Sequence, residues 1–490
     1  MGNVGLAGRA RMWDVAVTVA ASIVLALGIG GAARAADPSS DVSDRAERSE
    51  ASSDGTSEGT AVPTTGAASS TALSPDARYV ILAVEDRGEA LSGAGGSPRG
   101  DYRRMAGYAG SARAEAISEA LAHEYRLRQR AAWTIAPLNL RCMLFALSPG
   151  DEVEPLLTRL RGDARVRLAQ PLNEFEALSA MPAAGAAVAP AVSPPSPTSP
   201  YNDPYFGLQK GFQQMSAAAL QQVSVGSRVK VAIIDTGVDA RHPDLAGQVT
   251  GQRDYVDGGG ALVDGVPERH GTEILGLIAA RANNRQGIVG VAPGAVVTSY
   301  RACWSDVHTD RSRPPTARCN SFTLAQALGA AIADGADVIN LSLGGPSDPL
   351  LTLLARRAQS RGAVLVAAAP PERVGAGFPS DVPGALVVAS TGAVADKNGW
   401  LAAPGQAVLT TVPGGGYDID SGSSLAAAHV TGVVALLRAA TPGVDASRLK
   451  RVLLESMTPS GAINACEAAR KLGVSGVRCD ADVTGAPSPR

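Results

Sequence analysis

Two patterns of apolar and polar positions alternate in the C-terminal part of the chain. Residues 229–234, 338–341 and 363–368 are almost continuously apolar, which is typical of strands buried on both faces of a parallel sheet. Residues 322–333 and 349–361 carry apolar side chains at helical spacing. This alternation predicts an α/β fold with a mostly parallel central sheet and helices on both faces.

A module over residues 75–180 has a different pattern. Its apolar runs favour strands at 79–84, 142–147 and 166–168, and its helical spacing favours helices at 112–130 and 153–160. This order predicts a small α+β, ferredoxin-like domain with a split βαβ arrangement.

Composition changes mark the boundaries between these parts. Residues 36–74 are rich in Ser, Thr and Gly with almost no large apolar side chains, so we expect a disordered linker. Residues 181–200 are rich in Ala, Pro and Ser, which favours an extended linker. The main domain is then expected at 201–460, followed by a C-terminal extension at 461–490.

The N-terminal segment has the layout of a secretory signal. Arg9 and Arg11 precede an apolar run at 15–29, and a small-residue cleavage pattern ends at Ala35. We therefore expect a signal peptide at 1–35 and a secreted or periplasmic protein. The alternative is an uncleaved membrane anchor, although the run is short for a bilayer span.

Composition narrows the classes of partner and site. The chain has 490 residues with a formal net charge of -2, so it lacks the basic field that attracts nucleic acid or anionic lipid. Four of the five cysteines form two local pairs, Cys303 with Cys319 and Cys466 with Cys479, which suits disulfides in an exported chain. Cys142 remains as a buried thiol, and no Cys/His cluster has zinc spacing.

Three polar residues stand where reactive groups are often found. Asp235 ends an apolar strand, His270 begins a helix of small and apolar residues, and Ser424 follows a glycine turn at the start of another helix. Taken singly, each residue is better explained as a cap, a turn former or a structural histidine. Together they supply a carboxylate, a base and a nucleophile in the order Asp, His, Ser.

That order, with a glycine near each residue, resembles the subtilisin-like serine peptidases over about residues 229–437. The resemblance implies that Ser424 attacks a peptide carbonyl, His270 relays its proton and Asp235 orients the imidazole. It also implies that Ser342, Leu343 and Gly344 pair with an extended substrate, although a plain strand-to-loop transition would explain the same segment. Protein or peptide substrates are the expected partners.

Further expectations follow from the same resemblance. The 75–180 module resembles the pro-regions of this family, which inhibit the peptidase until they are cleaved, and residues 173–178 or the linker after them would lie in the cleft. An unrelated surface domain is the alternative. Calcium is common in relatives, but no acidic loop here has ligand spacing, so we assign no cofactor or metal.

The chain departs from the family at the oxyanion site. Relatives have Gly-Asn after the strand that corresponds to residues 363–369, whereas this chain has Pro370-Pro371. Pro371 has no amide group and no N–H to donate, so the Ser424 backbone is the remaining donor. We expect reduced peptidase activity. The alternatives are a peptidase-like protein that binds peptides without turnover and, less favoured, a purely structural role.

Overall fold

The computed structural model describes residues 73, 77–87, 103–180, 199–257, 259–263, 266–306, 316–371, 376–391 and 399–479. The expected signal peptide and almost all of both expected linkers lie outside these residues. The strands are β1 (Tyr79–Glu85), β2 (Arg128–Ile135), β3 (Leu140–Ala146), β4 (Val166–Pro171), β5 (Glu174–Ala177), β6 (Ser179–Ala180), β7 (Lys230–Asp235), β8 (Val249–Asp254), β9 (Ala261–Leu262), β10 (Val296–Arg301), β11 (Cys303–Asp306), β12 (Thr316–Asn320), β13 (Val338–Leu341), β14 (Leu343–Gly344), β15 (Val364–Ala368), β16 (Leu386–Ser390), β17 (Leu401–Ala403), β18 (Val408–Val412) and β19 (Gly416–Gly422). The helices are α1 (Arg103–Glu124), α2 (Val153–Arg161), α3 (Lys210–Gln214), α4 (Ala217–Gln221), α5 (Arg269–Ala279), α6 (Ser321–Ala333), α7 (Pro349–Ser360), α8 (Ser423–Ala440), α9 (Ala446–Glu455) and α10 (Ala465–Lys471).

The central sheet has the strand order β17-β16-β15-β13-β7-β10-β8-β9. Its neighbouring strands are parallel except at the edge, where β9 runs antiparallel to β8. The predicted α/β fold with a mostly parallel sheet is therefore confirmed. The carboxyl ends of β7 and β13 lie at one edge of this sheet, where parallel α/β folds collect their functional side chains.

Alternate residues of β7 face opposite layers of helices. Val231 and Ile233 pack with α5 and α8, while Ala232 and Ile234 pack with α6 and α7. Both layers are made of buried apolar side chains, which explains why residues 231–234 of the strand are all apolar. Helix α8 is long and apolar enough to cross a membrane by composition alone, but 78% of it is buried inside the protein, as befits a core helix.

The N-terminal module has the element order β1-α1-β2-β3-α2-β4 and an antiparallel sheet with the order β2-β3-β1-β4. Helices α1 and α2 cover one face of this sheet, and its other face packs on α6 and α7. The helix expected over 112–130 ends at Glu124, because Arg126 adopts a left-handed conformation (φ 55°) and the chain then enters β2.

Candidate active site

Asp235 and His270 form a buried hydrogen-bonded pair at the carboxyl edge of the central sheet. His270 Nδ1 lies 2.6 Å from Asp235 Oδ1, and both side chains are only 3% exposed. Because an ionised carboxylate can only accept, Nδ1 carries the proton of the neutral imidazole and Nε2 keeps a lone pair. Nε2 is buried and has no hydrogen-bond partner among the described residues.

Close backbone contact brings His270 to Asp235. Helix α5 begins beside the end of β7, and the N–H of Gly271 donates to Thr236 Oγ1 at 2.8 Å. A Cβ atom at Gly271 would lie 2.6 Å from the carbonyl oxygens of both Thr236 and Gly237. Only glycine fits there, which explains the His-Gly pair in the sequence.

Ser424 lies in the first turn of α8 and is fully buried. Its carbonyl oxygen is 3.2 Å from Ser342 Oγ, which is also 3.0 Å from Asn340 Oδ1. Asn340 in turn donates to Thr431 Oγ1 at 2.9 Å. These bonds fix the start of α8 against the end of β13. They therefore hold the backbone N–H of Ser424 in a fixed position.

An extended segment of the N-terminal module runs through this site. Strand β5 pairs antiparallel with β12 on one side and β14 on the other, with Ala177 opposite Leu343 and Glu176 opposite Gly344. The next residue, Leu178, donates its N–H to Ser342 O (3.2 Å). The three residues expected to contact a substrate therefore contact this segment.

The same segment passes directly over Ser424. The N–H of Ser424 donates to the carbonyl oxygen of Leu178 at 3.3 Å. Beyond that carbonyl, β6 pairs with β19, with Ser179 opposite Gly422 and Ala180 opposite Ser421. The chain is thus held on both sides of the Leu178–Ser179 peptide bond.

Two side chains of the segment are seated in the cleft wall. Phe175 is 1% exposed and makes an edge-to-face contact with Phe378, with ring centroids 6.0 Å apart. A Cβ at Gly345 would collide with the Phe175 ring, and one at Gly344 would lie 3.0 Å from Leu178 Cδ1. Glycines in the wall therefore make room for these two side chains.

Comparison with known families agrees with this geometry. The model of the subtilase family, Peptidase_S8, matches residues 226–474, about half of the chain. The chain belongs to the subtilase family. It is 37% identical to thermitase of Thermoactinomyces vulgaris over 51% of this chain and 89% of that protein, and 33% identical to subtilisin of Bacillus pumilus over 47% and 85%.

A solved structure has the same fold. That of fervidolysin from Fervidobacterium pennivorans, a keratinolytic enzyme related to subtilisin, matches 80% of this chain and 61% of that chain with a TM-score of 0.62 and 20% identity. The family and its curated relatives make this protein a serine-type endopeptidase that acts on protein or peptide substrates. They do not favour the alternative of a peptide-binding protein without turnover.

Few hydrogen-bond donors among the described residues lie where an oxyanion would form. Strand β15 ends at Ala368, and the Ala369 carbonyl oxygen accepts a hydrogen bond from Ser423 Oγ at 2.7 Å. Pro370 and Pro371 follow without N–H groups. In the part of the chain that the structure describes, Ser424 N–H is the donor placed on the Leu178 carbonyl, and Pro371 has nothing to donate.

Buried charges surround the imidazole. Burial lowers the pKa of His270, but the carboxylates of Asp235, Glu273 and Asp420 raise it, and the net shift is upward. Asp420 was not predicted as a site residue, because nothing in the sequence places β19 beside α5. Glu273 lies three residues after His270 in the sequence, but nothing there indicates that its side chain is buried.

Both expected disulfides are present. Cys303–Cys319 joins directly opposed residues of β11 and β12, so it braces the strand that pairs with β5, and Cys466–Cys479 anchors α10. Cys142 is a buried free thiol whose pKa is raised by burial. Within the described ranges, no three His, Cys, Asp or Glu side chains group in a way that would hold a metal ion.

Proposed function

We propose that this subtilase is a secreted or periplasmic endopeptidase that uses Asp235, His270 and Ser424 as its triad. Ser424 Oγ attacks the substrate carbonyl carbon while His270 Nε2 accepts its proton, and the imidazolium then protonates the leaving amine. Asp235 holds the ring through Nδ1 and stabilises its charged form. Water then attacks the acyl carbon while His270 Nε2 accepts its proton, and the bond to Ser424 Oγ breaks as the imidazolium returns a proton to that oxygen.

The observation that carries this proposal is the hydrogen bond from the backbone N–H of Ser424 to the carbonyl oxygen of Leu178. A peptide bound as an added strand would present its scissile carbonyl to that donor. The segment is therefore proposed to be both the first substrate and the inhibitor of the enzyme, with Leu178–Ser179 as the bond cut. The pro-region would then be residues 75–178, and the peptidase domain 201–460 would follow the second linker.

Export is proposed on the sequence of residues 1–35, read as a signal peptide. The two disulfides support this location, because such bonds persist in oxidising compartments. Activity is proposed to be lower than in relatives that have the oxyanion Asn, because one donor to the tetrahedral intermediate is missing.

The test compares the full chain with its Ser424→Ala variant. We expect the wild-type protein to be cut after Leu178, as measured by intact mass and N-terminal sequencing, and to be labelled by a fluorophosphonate. Ser424→Ala should stay uncut and unlabelled, while Ser360→Ala, a change at the exposed end of α7, should behave as wild type. A folded wild-type protein that is neither cut nor labelled would overturn the proposal, whereas labelling with a cut elsewhere would overturn only the assigned bond.

A further inference from the structure

A second group of charges lies against the catalytic helix. Glu273 follows His270 by three residues on α5, so the two side chains share one face of the helix. Arg269 Nε is 2.7 Å from Glu273 Oε1, and Arg269 Nη2 is 2.8 Å from Asp418 Oδ2 and 4.0 Å from Asp420 Oδ2 on β19. The side chains of Glu273 and Asp420 are both fully buried.

This group has more acid than base. One guanidinium faces three carboxyl groups, so the cluster would hold excess negative charge if all three were ionised. Both oxygens of Glu273 and Oδ2 of Asp420 are buried without a hydrogen-bond partner among the described residues. The approach of Arg269 to Glu273 is close, but its direction does not make a hydrogen bond. Buried carboxyl groups in such surroundings retain a proton.

The surroundings of Glu273 and Asp420 raise the pKa of both carboxyl groups, which also favours a retained proton. Burial and, to a smaller extent, the nearby Asp420 raise the pKa of Glu273 to about 8, against the opposing effects of Arg269 and His270. Burial also raises the pKa of Asp420. The charged groups that face His270 are Asp235 from β7, Glu273 from α5 itself and Asp420 from β19.

We propose that Glu273 and Asp420 hold one proton between them and act as positioning residues whose joint charge tunes His270 as a general base. This inference rests on the proposed role of His270. When the shared proton leaves for solvent, a second negative charge appears beside the imidazole. The imidazolium that forms in the transition state is then better stabilised, so peptide hydrolysis should accelerate.

The pH dependence of kcat/KM tests this proposal on the matured enzyme with a fluorogenic peptide. The wild-type profile should rise in two steps, first as His270 loses its proton and again by about two- to tenfold between about pH 7 and pH 9. Glu273→Gln should abolish the second step. Asp420→Asn should also abolish it and should move the midpoint of the first step down by about half a pH unit or more.

Glu455→Gln is the matched control, because it makes the same chemical change on a half-exposed side chain of α9. It should keep the two-step profile. Profiles of Glu273→Gln and Asp420→Asn that superimpose on the wild type would overturn the inference. They would leave the proposed function intact, since the wild type would still be active.

A second readout does not depend on turnover. Histidine imidazoles are followed by ¹⁵N NMR in the full-length Ser424→Ala protein, with and without Asp420→Asn. The substitution should lower the midpoint of the His270 titration and leave those of His242 and His429 in place. An unchanged His270 midpoint would refute the coupling, even if the wild-type protein proved inactive and the proposed function had failed.

Discussion

At the scale of single residues, few hydrogen-bond donors of the described residues face the carbonyl group that lies over Ser424. The Leu178 carbonyl receives the Ser424 N–H at 3.3 Å, and the neighbouring hydroxyl of Ser423 is directed to Ala369 O instead. Pro370 and Pro371, which follow β15 and Ala369, have no backbone N–H to donate. In the proposed mechanism, the Ser424 amide and the start of α8 would therefore stabilise most of the developing charge.

Pro371→Asn should restore a donor to this place. We expect kcat to rise by about 10- to 100-fold with little change in KM, because one oxyanion donor in subtilisin contributes about 10²–10³ to turnover and acts only in the transition state. Steady-state kinetics on a peptide substrate measure the change. Pro371→Ala, which restores an N–H but no carboxamide, is the control, and an equal gain in both variants would count against a side-chain donor.

Asp235, His270 and Ser424 stood out in the sequence because each belongs to a short motif with its own glycine, and the structure pairs the first two. The contact of Asp420 with the α5 charges could not be predicted, since it depends on how β19 packs beside a helix far away in the sequence. The charges of Arg269 and Glu273 were visible in the sequence, but their burial was not.

At the scale of elements, the cleft is a gap between two strands that an incoming strand fills. Strand β12 forms one wall and β14 the other, and β5 pairs with both. The disulfide between Cys303 and Cys319 fixes β12 to β11. Backbone pairing on two sides gives affinity with little regard to sequence, so side-chain selection depends on positions such as the seat of Phe175.

Gly345→Ala should narrow the space that the Phe175 side chain occupies in the cleft wall. Its Cβ would lie 2.4 Å from Phe175 Cδ1 and 2.9 Å from the Glu174 carbonyl oxygen, so the bound strand must shift. We expect about a tenfold increase in KM for a peptide with Phe four residues before the cut, and a much smaller increase with Ala there. Gly207→Ala, where a Cβ meets nothing within 4 Å, is the control. Equal KM changes for both peptides would contradict this seat.

Strands β7, β13 and β15 were predictable because burial on both faces makes most of their residues apolar. Strand β2 was missed, since five of its eight residues are exposed or polar and its stability comes from pairing with β3. The sequence also did not predict that β12 forms a wall of the cleft, because that role depends on its pairing with β5. Its sequence shows a cysteine pair but not the strand that would lie beside it.

At the scale of the whole molecule, the N-terminal module and the peptidase share one apolar layer. Trp133 of β2 packs edge-to-face on Phe322 of α6, with centroids 4.8 Å apart. Asp348, which caps α7, is 1% exposed and accepts hydrogen bonds at Oδ2 from Gln170 (2.7 Å), Asn173 (2.9 Å) and Ser321 (2.6 Å). A buried carboxylate of the peptidase thus depends on amides of the module.

Gln170→Ala should weaken this junction. It removes the bond to Asp348 and another to the Leu350 N–H, both buried, so the cut module should dissociate about tenfold faster. The lag before peptide hydrolysis begins measures that dissociation. Gln129→Ala, which alters a bond inside the module, should keep the wild-type lag. A lag that is equal in all three proteins would show that the Asp348 contacts do not control release.

The continuity of the chain through the cleft has a kinetic consequence. While Leu178 and Ser179 remain joined, the strand that we propose as inhibitor is tethered at both ends, at an effective concentration that a free peptide would match only in the millimolar range. One cut at that bond releases one tether and turns an intramolecular competitor into a dissociable one. The first cut would therefore be a unimolecular step that delays activity once in each molecule. The length of this delay would not depend on the enzyme concentration.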